Sequence, residues 1–360
     1  MPIVSLSVSR FRNLHSAELH FSPQINLFVG ENAAGKTSLL EALFVLARGR
    51  SFRTRQLDEL IQSEQSDFQL VVQLDNPVGR HLPVGIRHSG GRLECRIDGR
   101  PARRLSQLAT LFPVQWLGGN LHTLIEDGPA YRRQFLDWGL FHVKPEYAVH
   151  WKRFHKLLKQ RNAALRKGAT SREVLAWNPD LAEAAESLDH YRQDYLKQLS
   201  HALAAINPKF PTLNAPVSVT YQRGWAADIT YLDQLKENWE KDRERGFTRL
   251  GPQRAELSFS VDDKPAREQL SRGQQKVFIT ALQLAQSSLL YQQSGKSSLF
   301  LLDDIGAELD SANQRIILRL LAAMNAQVFV TTIEEPQIPT DIEALVRRFH
   351  VKHGVVTEVV

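Results

Sequence analysis

The chain has 360 residues, 42% hydrophobic and 23% charged, and its 45 Lys/Arg against 39 Asp/Glu give 45 − 39 = +6. That composition suits about two globular domains and excludes a disordered chain, while no apolar run approaches the 18 or so residues that a membrane helix needs. A single cysteine, Cys95, excludes a disulfide framework and a cysteine zinc site; with no leader at the N-terminus, a cytoplasmic location is expected.

In chain order, Ile3, Val4, Leu6 and Val8 alternate with serines, the period of a strand, and Glu18 to Phe21 is its expected partner. Ile25–Val29 is wholly apolar, as a buried strand should be. Leu39, Leu40, Leu43, Phe44 and Leu46 then form the apolar stripe of a helix. Residues 68–97 read as strands, with turns expected at Asn76-Pro77 and Gly90-Gly91. Residues 130–206 read as helices. A mixed segment, to about 245, leads to a β-like stretch at 255–261, and a long helix is expected from about 271 to 293. A strand, a helix, a strand and a β-like segment at 349–360 close the chain. A β/α nucleotide unit therefore opens the sequence and another ends it. That order predicts an α/β head formed by residues 1–117 and 248–360, split by a helical arm at 118–247.

Between the buried strand and its helix lies Gly30-Glu31-Asn32-Ala33-Ala34-Gly35-Lys36-Thr37-Ser38, a full P-loop. Its glycines let backbone N–H groups turn toward a phosphate, and the helix start adds a positive dipole end. Lys36 is expected to reach the β- and γ-phosphates of ATP, and Thr37 to hold Mg²⁺. Ser298-Ser-Leu-Phe-Leu-Leu-Asp303-Asp304 has the form of a Walker B strand. Asp303 is its metal candidate, and Asp304 the residue to orient or deprotonate water.

Leu270-Ser271-Arg272-Gly273-Gln274 opens a helix, where Ser271 is either an ordinary N-cap or a signature residue. The order of P-loop, glutamine, Leu-Ser-x-Gly-Gln, Walker B and Ala307-Glu-Leu-Asp310 resembles that of the ABC-type ATPases. Within that superfamily the chain is similar to the RecF family. The resemblance rests on Phe11-Arg12-Asn13, Gly49-Arg50-Ser51-Phe52-Arg53, Tyr131-Arg132-Arg133-Gln-Phe-Leu-Asp137, Gln160-Arg-Asn-Ala-Ala-Leu165 and Gly251-Pro-Gln-Arg254. It implies that Arg12 and Asn13 lie near the base or ribose and that Gln115 senses metal and γ-phosphate, beside Lys36 and Asp304 in catalysis. Ser271, Gly273 and Gln274 are implied to act in trans, and Asp310 across the dimer. Thr331-Thr332 stands where transporters carry a switch histidine, and Thr332 is otherwise only a turn residue.

The chain departs from the family after Gln115: Trp116-Leu-Gly-Gly-Asn120 replaces the usual Ser/Thr-Pro-Glu. Asp304 is also one methylene shorter than the glutamate of most ABC ATPases, so hydrolysis is expected to be slow.

Residues 151–167 carry seven Lys/Arg and no acid. Lys152, Lys156 and Lys159 share one helix face, which is either a solvated face or a phosphate-binding one. Arg50 and Arg53 belong to a second basic cluster, between Arg48 and Arg55, with the same two readings. The resemblance implies a weak DNA-dependent ATPase, an ATP-dependent homodimer on duplex or gapped DNA, and RecR and the RecO pathway as partners in loading recombinase. A transporter ATPase subunit and a non-hydrolysing ATP-binding clamp are the alternatives.

Overall fold

The structure is a computed structural model that describes residues 1–360 apart from Pro77, Val78, Asn120, Asn214 and Val360. Pro77 of the expected turn, Asn120 of the departing segment and Val360 of the last strand therefore lie outside the described residues. The chain folds into two compact units, one of Met1–Leu121 with Leu290–Val360, the other of His122–Leu289.

The first unit is built on two sheets. One runs in the order Val355–Val359, Val346–Lys352, Ile25–Val29, Gln327–Thr332, Leu299–Leu302, Val114–Leu117. Its last five strands are parallel. Such strands are covered on both faces, which is why Ile25–Val29, Leu299–Leu302 and Gln327–Thr332 are nearly continuous apolar runs. Strands some 300 residues apart in sequence are neighbours here, so the two ends of the chain complete one sheet. The other sheet is antiparallel: Ala17–His20, Ile3–Ser9, Asp67–Leu74, Leu82–Ser89, Arg92–Ile97, Arg100–Pro101.

The helix Lys36–Arg48 touches both sheets. Every residue from Ser38 to Ala47 is buried, a wider burial than a single apolar stripe provides. Leu39 and Phe44 share one core with Leu6, Val8 and Phe68 of the antiparallel sheet and with Phe28, Leu301 and Phe329 of the parallel one. Phe28 stacks on Phe349 at 4.8 Å, and Phe21 meets Phe329 edge-on at 4.8 Å. Offset and edge-on pairs of this kind add about 0.5–1.5 kcal/mol beyond area burial.

The second unit holds the long helices Pro129–Val143, Tyr147–Arg166 and Asn178–Ile206. It also has a three-stranded antiparallel sheet, with Val217–Gln222 paired to Glu256–Val261 and the latter to Lys264–Pro265. That pairing places residues 256–265, beyond the expected boundary at 248, with the second unit, which runs to Leu289. Motif order had grouped the signature segment with the P-loop. In the fold, Phe278 of the signature helix Arg272–Ser294 packs edge-on against Phe259 at 5.5 Å, and this holds its first turns to the second unit. The arm is thus a mixed lobe with its own sheet.

Buried ionic clusters organise this lobe. Asp137 accepts from the Tyr147 hydroxyl at 2.5 Å, from Trp151 Nε1 at 3.0 Å and from Arg192 at 2.9 Å. Fully buried Arg161 donates to Asn178, to Asp242 at 2.8 Å and to Thr248. Arg132 forks onto Glu256 at 2.7 and 3.0 Å, and Arg133 donates to the Ala255 carbonyl. The Arg-Arg-x-Phe-Leu-Asp segment is therefore a brace between helix and sheet.

Candidate nucleotide site

The P-loop leaves the parallel sheet after Val29. A Cβ on Gly30 would lie 2.1 Å from the Val351 carbonyl oxygen, so the backbone passes where a side chain has no room. Gly35 has φ 117°, open to glycine at little cost. The next hairpin braces the loop from outside: the Gly354 N–H donates to the Ala34 carbonyl at 2.7 Å. A cavity of about 520 Å³ opens there, lined by residues 31–38 together with Arg12, Asn13, Arg53, Glu59, Ile61, Asp303 and Asp304.

Lys36 Nζ folds back to donate to the carbonyls of Gly30 at 2.5 Å and Glu31 at 2.8 Å. Burial lowers its pKa, opposed by the charges of Asp304 and Asp303. Thr37 Oγ1 stands 3.0 and 3.1 Å from the two Asp303 oxygens. Burial raises the Asp303 pKa, opposed by hydrogen bonds from Thr331 and Thr37. A hydroxyl and a desolvated carboxylate side by side form the hard-oxygen donor pair that Mg²⁺ takes, with phosphate and water completing the shell. No group of three or more His, Cys, Asp or Glu among the described residues could hold a metal by itself. Asp304 sits in the left-handed region, φ 47°, where the strand turns into the short helix Ile305–Glu308.

Arg12 and Asn13 both line this cavity, and what they touch is specific. Asn13 donates to the Ala33 carbonyl and accepts from the Ser38 hydroxyl at 2.8 Å, which ties the loop to the first strand's end. Arg12 forks onto Glu41 at 3.0 and 3.1 Å and donates to the Glu59 carbonyl. Ser51 also donates to Glu41, at 2.5 Å, and Arg53 stands 3.7 Å from it. Arg53, expected on a DNA surface, thus stands in the wall of the nucleotide cavity. Arg48 turns inward to the Val114 carbonyl, and burial pulls its pKa down to about 10; Arg50 and Arg53 are both exposed.

Sequence reasoning missed Glu41, and it placed Thr331 at the switch position without foreseeing its contacts with Asp303 and Asp304. Glu41 follows Thr37 by one helical turn, a spacing with no motif attached. Thr331 Oγ1 donates to Asp303 at 2.7 Å and accepts from the Asp304 N–H at 2.9 Å. Its neighbour Thr332, in the switch-histidine position, donates instead to the Glu334 carbonyl.

Gln115 is buried on the edge strand beside Leu299–Leu302 and is not among the residues lining the cavity. Trp116, the first departing residue, stacks on Phe52 at 3.8 Å and meets Phe44 edge-on. The indole therefore fastens this strand to the segment after the P-loop helix. In the other unit, Ser271 and Gln274 exchange hydrogen bonds as a capping box, Gln274 N–H to Ser271 Oγ at 3.3 Å and Ser271 N–H to Gln274 Oε1 at 3.0 Å. Gly273 is exposed and faces open space. Asp310 caps the helix Ser311–Ala323 through the Asn313 N–H at 2.8 Å.

Lys152, Lys156 and Lys159 are exposed on one face of Tyr147–Arg166. Two other members of that basic run are structural: Arg153 bridges to Asp180 and Glu183, and Arg161 is internal.

A P-loop set against a Walker B aspartate, on a parallel sheet backed by an antiparallel one, with the Leu-Ser-x-Gly-Gln segment on a separate lobe, defines an ABC-type ATPase head of the SMC kind. Residues 2–357 match the RecF/RecN/SMC N terminal domain model. A solved chain described as the recombination mediator protein RecF with ATP has the same fold, TM-score 0.87 at 22% identity, covering 100% of this chain and 98% of that one. An Smc head bound to the C-winged helix domain of ScpA aligns at TM-score 0.59 and 16% identity, covering 100% and 97%. The DNA replication and repair protein RecF of Aliivibrio fischeri (strain MJ11) is 35% identical over 99% of this chain and 100% of its own length, and that of Xanthomonas euvesicatoria pv. vesicatoria (strain 85-10) is 40% identical over 99% and 98%. The chain belongs to the RecF family.

Proposed function

We propose that this chain is a DNA replication and repair ATPase of the cytoplasm, in which ATP closes a homodimer on duplex or gapped DNA and slow hydrolysis reopens it. The carrying observation is the convergence of Thr37 and Asp303 at 3.0 Å beside the Lys36 ammonium, which brings a phosphate cradle and a metal-binding pair to one cavity. On ATP binding, Lys36 exchanges its two carbonyl partners for β- and γ-phosphate oxygens. Thr37 and Asp303 hold Mg²⁺, which neutralises phosphate charge when bound. Asp304 orients the attacking water and takes its proton. Gln115 is assigned to follow occupancy of the site from the adjacent strand.

Ser271, Gly273 and Gln274 are assigned to cap the γ-phosphate held by a second copy, with Asp310 at the same interface. Their exposed, capped helix start supports that role, because free backbone N–H groups at such a start bind anions. Lys152, Lys156, Lys159, Arg50 and Arg53 are assigned to DNA phosphates. The relatives' printed names support a place in replication and repair, and the pathway named for the solved chain supports RecR and RecO as partners. No helix among the described residues is long and apolar enough to cross a membrane.

The test is ATP-dependent dimerisation, followed by light scattering with and without ATP and Mg²⁺. Wild type should double in mass with ATP. Ser271→Arg should bind ATP as a monomer with nearly unchanged affinity and fail to dimerise. A variant that dimerises normally overturns the trans assignment. Dimerisation without any single-turnover hydrolysis would make the protein an ATP-gated clamp.

A further inference from the structure

Thr331 is the last residue but one of the strand Gln327–Thr332, which lies between the P-loop strand and the Walker B strand. Register puts Val330 beside Leu302, so the chain one step further on each strand brings Thr331 to Asp303. The Thr331 side chain is fully buried. Its one hydroxyl serves two residues: it donates to Asp303 Oδ1 at 2.7 Å and accepts from the Asp304 backbone N–H at 2.9 Å. A hydroxyl has one proton and two lone pairs, so this pairing uses the donor and one acceptor site at once. Asp304 also lies in the left-handed region, φ 47° and ψ 57°, which a non-glycine residue holds only when its surroundings fix it. Directly beside, the Thr332 carbonyl accepts from the Gly30 N–H that starts the P-loop.

We infer that Thr331 is a positioning residue for the metal and the attacking water: its hydroxyl fixes the rotamer of Asp303 and the backbone turn that aims Asp304. This rests on the ATPase reading above and assigns a task to a residue that touches neither nucleotide nor metal itself. The hydroxyl leaves one Asp303 oxygen to share with Thr37 and the ion, so a valine in its place frees the carboxylate to rotate. The same change releases the Asp304 N–H from the Thr331 hydroxyl that accepts it.

The experiment compares wild type with Thr331→Val, which keeps the shape and loses the hydroxyl, and Thr331→Ser, which keeps the hydroxyl. The first readout is Mg²⁺ affinity by calorimetric titration of full-length protein saturated with a non-hydrolysable ATP analogue. The second is single-turnover ATP hydrolysis. Thr331→Val should weaken Mg²⁺ roughly tenfold and slow turnover about as much, the scale of one charge-assisted hydrogen bond. Affinity for the analogue without metal should stay within about twofold of wild type, and Thr331→Ser should return both quantities close to wild type. Wild-type Mg²⁺ affinity and turnover in Thr331→Val overturn the assignment, as does a serine variant as impaired as the valine one. Should the valine variant fail to fold, checked by its thermal transition, Thr331→Ala carries the same expectations and the same outcomes overturn it. If wild type itself hydrolyses no ATP, the ATPase reading fails, while the Mg²⁺ titration still decides the role of Thr331.

Discussion

Lys36 shows how one residue can serve two states. Its ammonium is held by two P-loop carbonyls, and burial lowers its pKa. The arrangement keeps a cation poised at the cavity while the loop keeps its shape. Lys36→Met removes that charge and should weaken ATP at least about tenfold, the loss expected for charge-assisted bonds of 1.5 kcal/mol or more; titration with a fluorescent ATP analogue measures it. Lys36→Arg should bind ATP yet hydrolyse slowly, since a planar fork does not replace a point charge. Glu41 carries a different lesson. It is buried, and Arg12 and Ser51 bind it with Arg53 close by, so residues from two separate family-like segments meet at one carboxylate.

Elements are joined by buried charge in both units. In the lobe, Arg161 of Tyr147–Arg166 meets Asp242 of Trp239–Arg245 at 2.8 Å, both fully inside. Asp242→Ala leaves a guanidinium buried without its countercharge, which costs about 3–5 kcal/mol; chemical denaturation should show it as a lower midpoint with an unchanged slope. In the other unit, Asp67 of one strand accepts from Arg10 at 2.7 Å and from Arg87 of the next strand at 3.0 Å. The bond from Arg10 leads in holding its pKa below the ordinary carboxylate value, against the opposing effect of burial. A depressed folded-state pKa gives stability that is present above the unfolded value and lost as pH falls through the folded one. Asp67→Asn should therefore flatten the acid limb of the stability profile below about pH 4, read from thermal melts across pH.

At the scale of the whole molecule, function depends on surfaces that the two units present separately. The lysine face of Tyr147–Arg166 carries Lys152, Lys156 and Lys159, all exposed. If each meets a phosphate, changing the three to alanine should reduce the slope of log affinity against log salt by up to about 3, at roughly 0.9 per contact. Titrations against duplex DNA at several salt concentrations test this, and ATP affinity without DNA should stay as it was. An unchanged slope would move the DNA surface to the second basic cluster, where Arg50, Arg53 and Arg55 are exposed while Arg48 is turned to the Val114 carbonyl.

The P-loop, the Walker B strand and the signature helix start were legible in the sequence because each is a contiguous string whose backbone shape is set by its own residues. Gly35 supplies a positive φ, and Ser271 with Gln274 supplies a reciprocal cap, whatever surrounds them. The expectation of a split head had the same local origin: two β/α signals stand at opposite ends of one chain. Other features were decided only by long-range pairing. Thr331 meets Asp303 across 28 positions because adjacent parallel strands stand in register. The place of Glu256–Val261 in the second unit follows from its hydrogen bonds with Val217–Gln222. The fates of Arg53, Arg153 and Arg161 depended on which carboxylates folding brought near. A side chain's charge is written in the sequence, but its partner is chosen by the packing of distant segments.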